Sequence, residues 1–129
     1  MSVETITSLL GKTLTEVDRN GDYSLSFTTS ENKLVKMFHA QECCESVEIE
    51  DVCGDLQDLV GNPILKAEER TEEGTEGFGE FTYTFYEIAT IKGSVTIRWY
   101  GTSNGYYSTS VNIEEYELDE DGDIIYGGY

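Results

Sequence analysis

Between Phe81 and Trp99 the chain alternates apolar and polar residues twice, with a two-residue turn between the runs. Phe81, Tyr83 and Phe85 occupy every second position, and Ile88 and Ile91 follow. Lys92-Gly93 makes a tight turn, and Val95, Ile97 and Trp99 alternate on the return. A period of two places such residues on one face of a strand, and so short a connection can only join antiparallel neighbours. A chain that contains this hairpin is committed to building a sheet.

The same reading extends outward. Asn20-Gly21 is a strong hairpin turn signal between Leu14–Val17 and the alternating Leu25 and Phe27. A second turn at 30–33 leads into Leu34–His39, which predicts a three-stranded meander. Val47 and Ile49 alternate with Glu48 and Glu50, as in a strand with one wet face. Ile64-Leu65 should begin another strand, and Tyr107–Ile113 one more after a turn at 102–105. Two segments read as short helices. Val3, Ile6, Leu9 and Leu10 recur at helical spacing after Ser2 and stop at Gly11. Leu56, Leu59 and Val60 do the same before Gly61-Asn62-Pro63. Residues 68–80, EERTEEGTEGFGE, read as a mobile hairpin loop, and the stretch from 114 to 129 as a mobile acidic tail. The expected fold is an α+β single domain over residues 1–129. It is dominated by one curled antiparallel β-sheet or open barrel, with two short helices.

Charge narrows function. Twenty-six acids oppose eight basic residues in 129, a net charge of −18. Such a chain is repelled by nucleic acid and by anionic membranes and is drawn to basic surfaces, including those built to hold phosphates. The acids are concentrated. Residues 42–58, 68–80 and 114–123 hold seven, six and seven of them. Spread over a surface of roughly 7,000 Å² the net charge is too dilute to imitate B-DNA, which carries one charge per 1.7 Å of axis. Gathered on a third of that surface, the clusters would match it. The candidate partner-binding residues are therefore Glu45, Glu48, Glu50, Asp51, Asp55, Asp58, Glu114, Glu115, Glu117, Asp119, Glu120, Asp121 and Asp123. Tyr106 and Tyr107, beside the 102–105 turn, join them as aromatic contacts.

Signals for other chemistry are weak. His39 is the one histidine, and no serine sits in a G-x-S-x-G frame, so no catalytic residue is assigned. His39, Cys43, Cys44 and Cys53 have the spacing H-x₃-C-C-x₈-C, which suits a zinc tetrahedron poorly because adjacent cysteines point apart. Asp18, Asn20 and Asp22 begin like a calcium loop, but Tyr23 and Thr29 stand where Gly and Glu belong. No cofactor or metal is expected. No apolar run approaches 18 residues, Met1–Glu4 lacks the basic start of a signal peptide, and the three cysteines are odd in number. These features predict a reduced, intracellular setting.

Two stretches carry a resemblance. MFHAQECCESVEIEDVCGDLQDLVGNPILKAEE, from Met37 to Glu69, and TFYEIATIKGSVTIRWYGTSNGYYSTSV, from Thr84 to Val111, resemble an uncharacterised family of small bacteriophage proteins. So does SLSFTT at Ser24–Thr29. That family has no assigned chemistry, so the resemblance implies only a context: a phage product in the host bacterial cytoplasm. With the charge, it predicts a phage accessory protein of the anti-CRISPR type. Such a protein would inhibit a basic host nucleic-acid-binding protein through a DNA-mimic-like face. The alternatives are a structural module of the phage and a small-ligand sponge.

Overall fold

Gly21, with φ of 61°, takes the left-handed conformation that the first turn requires. Around it strands β2 (Leu14–Asn20) and β3 (Ser24–Thr29) close a hairpin in which Asn20 faces Ser24. Asn32, also at φ 61°, turns the chain again into β4 (Lys33–Phe38). The computed structural model describes residues 2–3, 6–40, 45–76, 79–103, 109 and 111–121. Within them the chain adds β1 (Ser2–Val3), β5 (Ser46–Cys53), β6 (Lys66–Glu76), β7 (Gly79–Thr90), β8 (Gly93–Ser103) and β9 (Asn112–Glu117). All pairings between these strands are antiparallel.

The strands form two sheets, ordered β1-β9-β4-β3-β2 and β5-β8-β7-β6. One buried cluster joins them. Leu25, Phe27, Val35, Met37 and Ile113 come from the first sheet, and Val47, Ile49, Ile88, Val95, Ile97 and Trp99 from the second. A backbone bond from Ile49 N–H to the Asp22 carbonyl (2.6 Å) ties the β2–β3 turn to β5. That contact lies beside the bulge between Ile49 and Asp51, where an extra residue bends the strand.

This architecture overturns the expected α+β class with its single curled sheet or open barrel. Among the described residues there is no α-helix, and the strands divide between two sheets that do not close into a barrel. Both expected helices are single 3₁₀ turns, Ile6–Leu9 and Leu56–Leu59. Of the residues in that apolar spacing, Ile6, Leu9 and Leu59 are buried, whereas Leu10 is exposed and Val3 lies in β1. Four residues are too few to propagate a helix once the costly first turn is made. Gly11 (φ 79°) and Gly61 (φ 91°) then turn the chain away. Ser2 and Val3 pair with β9 instead of opening a helix.

The acidic segment 68–80 is not a loop. It lies within β6 and β7, paired in unbroken register from Lys66↔Ala89 to Glu76↔Gly79, with the hairpin's end at 77–78 outside the described residues. Strand preference there is set by cross-strand neighbours more than by composition. Likewise, residues 114–117 form part of β9, paired on both sides by β1 and β4. No helix of the described residues is long and apolar enough to cross a membrane.

Candidate functional site

A strand in a two-sheet protein has one face in the core and one outside. For the four-stranded sheet, the core face is fixed by Val95, Ile97 and Trp99, whose partners across β7 are Ile88, Tyr86 and Thr84. The pleat therefore turns Phe81, Tyr83 and Phe85 outward, together with Arg98 and Tyr100 of β8. These rings form a ladder on the outer face. Tyr83 lies 5.8 Å from Phe81, 6.1 Å from Phe85 and 4.9 Å from Tyr100, centre to centre. Arg98 reaches over Tyr83 at 5.8 Å and Arg70 over Phe85 at 4.6 Å. Phe81 packs onto Gly74 across the hairpin, where a β-carbon would come within 2.5 Å of the ring. The described residues lay no further element over this face, and the ladder rings are half-buried.

Carboxylates rim the ladder on two sides. On β5, Glu50 accepts from Arg98 at 2.8 Å, Asp51 lies 3.9 Å from the same guanidinium, and Glu48 faces Tyr100. On the far edge, Glu68, Glu72 and Arg70 alternate outward along β6, and Lys66 pairs with Glu87 of β7 and with Glu68. The sheet order thus brings the first and second acidic runs to opposite rims of one face, separated by aromatic rings.

The remaining candidates fall elsewhere. Glu45 is buried: its side chain and that of His39 are 0% and 4% exposed and meet at 2.8 Å. It presents no carboxylate to a partner. Asp55 caps a 3₁₀ turn by accepting from Gln57 N–H, and Asp58 packs beside Gly93. Glu114, Glu115 and Glu117 lie on β9 in the other sheet. Glu114 accepts a bond from the Tyr116 hydroxyl, and Glu115 pairs with Lys33 at 3.3 Å. Glu117, Asp119, Glu120 and Asp121 are exposed, and the Asp119 carboxylate accepts from Asp121 N–H. Tyr106, Tyr107 and Asp123 lie outside the described residues, as do Cys43 and Cys44. Among the described residues the three acidic runs do not merge into one surface, and six of the eight basic residues stand within ion-pair distance of a carboxylate.

The sequence marks Phe81, Tyr83 and Phe85 as a strand pattern but does not assign them, or Arg98, to a contact face. The available signal was parity. Phe81, Tyr83 and Phe85 are odd positions of one strand and Ile88 is even, so they cannot share a face. The reverse side of the same hairpin holds a second feature, a cavity of about 500 Å³. Glu69, Glu73 and Glu80 line it, with Thr71, Thr82, Thr84, Tyr86 and Thr109 among the hydroxyl groups. Burial, with help from the Glu69 charge, holds the Tyr86 phenol far above its ordinary range.

Among the described residues no group of three or more His, Cys, Asp or Glu is placed to hold a metal ion. Cys53 is exposed, and its thiol donates to Asp51 at 3.4 Å, which pushes its ionisation up. That is the wrong direction for a nucleophile. No curated protein and no solved structure matches the chain. Residues 7–113 match a domain of unknown function (DUF7448), and the chain belongs to that family.

Proposed function

We propose that this protein is a non-catalytic binding module that docks onto a basic protein through the outer face of its four-stranded sheet. One observation carries the reading: the Phe81, Tyr83, Phe85 and Tyr100 ladder, outward-facing and bordered by carboxylates on β5 and β6. Aromatic rings at the centre of a patch with charges around it is the anatomy of a protein interface. The patch spans about 14 Å across four strands and about 20 Å along them, which suits the centre of a standard interface. Acids outnumber bases along its rims, and the whole chain carries −18, so the complementary surface is basic.

The resemblance to small phage proteins supports a setting inside a bacterial host. There, a defence protein with a nucleic-acid groove offers the required basic surface, and its occupation would inhibit it. In this form of the proposal the aromatic ladder anchors the contact, while the acids steer the approach. Rim charges act mainly on the association rate and its salt dependence, and anchors on the dissociation rate.

The test is capture from a bacterial lysate with tagged protein at low and high salt. The proposal expects a basic protein that is retained by wild type, released by Tyr83→Ala, and still bound by Glu117→Lys on the other sheet. Capture indifferent to Tyr83→Ala, or abolished by Glu117→Lys, would remove the sheet face as the binding surface.

A further inference from the structure

The hairpin of β6 and β7 has a second site on its inner side. The cavity of about 500 Å³ lies between the inner face of this hairpin and the residues Thr109 and Val111. Its volume is in the range that holds small organic ligands. The lining is unusual in kind. Glu69 and Glu73 of β6 and Glu80 of β7 are exposed at its margin. Thr84, 3% exposed, and Tyr86, 1% exposed, line it deeper in. Thr82 and Thr109 share a hydroxyl–hydroxyl bond of 2.8 Å there. Val111 and the Tyr86 ring supply apolar wall, and no Lys or Arg takes part in the lining.

Thr84 points to a ligand independently of the carboxylates. Among the described residues its hydroxyl has no hydrogen-bond partner. It is also absent from the buried side-chain atoms that lack both solvent and a partner, so the atom opens onto the cavity. Buried polar groups are nearly always bonded, and an unbonded one that faces an open space is an unused anchoring point.

We propose that this cavity binds a linear aliphatic polyamine. A single metal ion does not suit it, because the carboxylates are strung out. Glu69 and Glu73 are four residues apart on one strand, about 13 Å. Each can meet a different ammonium group of an extended ligand, with methylenes against Val111 and the Tyr86 ring and N–H donors accepted by the threonine hydroxyls. Ammonium–carboxylate bonds made in a half-enclosed site are stronger than the same pairs in water. This site lies on the other face of the hairpin from Tyr83, Phe85 and Tyr100 and shares only Phe81 and Gly74 with the ladder, so its test does not depend on the outer-face reading.

Isothermal titration of the purified protein with spermidine tests it, with magnesium chloride and putrescine as competitors. The expected result is saturable binding with one site per chain, weakened at least tenfold in Glu69→Gln/Glu73→Gln/Glu80→Gln. Thr84→Val, which keeps the shape and removes the hydroxyl, should weaken it several-fold. Glu16→Gln/Asp18→Asn, which removes two charges from the other sheet, should leave it unchanged. Three results would each overturn the proposal: no saturable heat, displacement by magnesium at equal ionic strength, or equal losses in the pocket and control variants. Far-ultraviolet circular dichroism of each variant excludes misfolding as the cause of a loss.

Discussion

Replacing Gly74 by alanine separates the outer face from the core. The new β-carbon would stand 2.5, 2.8 and 3.2 Å from three atoms of the Phe81 ring, where ordinary contact begins near 3.4 Å. The ring tip must retreat by about 1 Å. Swung about its β-carbon, that is a tilt of about 13°, which costs less than about 0.5 kcal/mol because it stays well inside a rotamer well. The tilt also disturbs the contacts of Phe81 with Tyr83 and Tyr100 (5.8 and 6.5 Å), each at most about 0.5–1.5 kcal/mol. Against this, Gly74 is not in the left-handed region, so alanine restricts the unfolded chain and returns about 0.4–1 kcal/mol. The net change in stability should be within about 1 kcal/mol, or about 3–5 °C in Tm. Gly101→Ala is the contrast. Gly101 is buried, and its β-carbon would meet Thr109 at 2.8 Å and Val47 at 3.1 Å. Overpacking there should cost about 1–3 kcal/mol. Fluorescence of Trp99, the one tryptophan and 1% exposed, follows thermal unfolding of both variants. Near-ultraviolet circular dichroism of folded Gly74→Ala should change as the ladder shifts. If Gly74→Ala is destabilised as much as Gly101→Ala, the ladder is a structural layer and not a free face.

Two ionisations give further tests. The Lys12 ammonium donates to Glu31 at 2.6 Å; this bond and the accompanying charge hold the Glu31 carboxyl below its ordinary value and raise Lys12. Glu31 should therefore titrate below the usual carboxylate range by carbon-13 NMR and return to it in Lys12→Met. A carboxyl depressed by folding adds stability above its unfolded pKa, and that part is lost as pH falls through the folded value. The stabilising effect of Lys12 should thus vanish in acid; persistence below that range would refute the pairing. The buried Tyr86 phenol behaves oppositely. Above about pH 10 the unfolded chain gives up this proton while the folded chain keeps it, so stability declines as pH rises from there. Ultraviolet titration should show one of the nine tyrosines ionising only with unfolding, and Tyr86→Phe should remove that phase.

How much of this was legible in the residues differs by element. Three of the turns were, because each rests on local chemistry: Gly21 and Asn32 both take positive φ, and Thr90 faces Gly93 across a two-residue connection. Of the turn expected at 102–105, Thr102 and Ser103 instead belong to β8 and the rest lies outside the described residues. Strand faces with strong contrast were legible too, as in Val47 and Ile49 against Glu48 and Glu50. Helix and strand remained ambiguous where apolar residues were few, at Ile6–Leu9 and Leu56–Leu59, since a single turn satisfies either spacing. The segment 68–80 was misleading because its glutamates and glycines discourage strands in isolation. Eleven cross-strand pairs with β7 override that preference. Whether distant acidic runs meet depends on strand order, and strand order is set by the core and not by the charges.

The most informative part of the sequence is the half of β7 that is built the wrong way round. From Tyr86 to Thr90 the strand is conventional, with Tyr86 and Ile88 inward and Glu87 outward. From Phe81 to Phe85 the polarity is inverted: the aromatic residues face out, and Thr82 and Thr84 face in. A pleated strand cannot change parity without a bulge, and the β7 pairings run without one. The inversion therefore resides in the side chains and not in the backbone. It costs apolar burial twice, by leaving rings half-exposed and by placing hydroxyls where a core would hold carbon. Those two costs fall on the same few residues, and they create the aromatic ladder on one side and the hydroxyl-lined cavity on the other. A fold that needed only to be stable would have taken the opposite assignment at each of these positions. The simplest physical account is that both sides of this hairpin are kept for contact with something other than the protein itself.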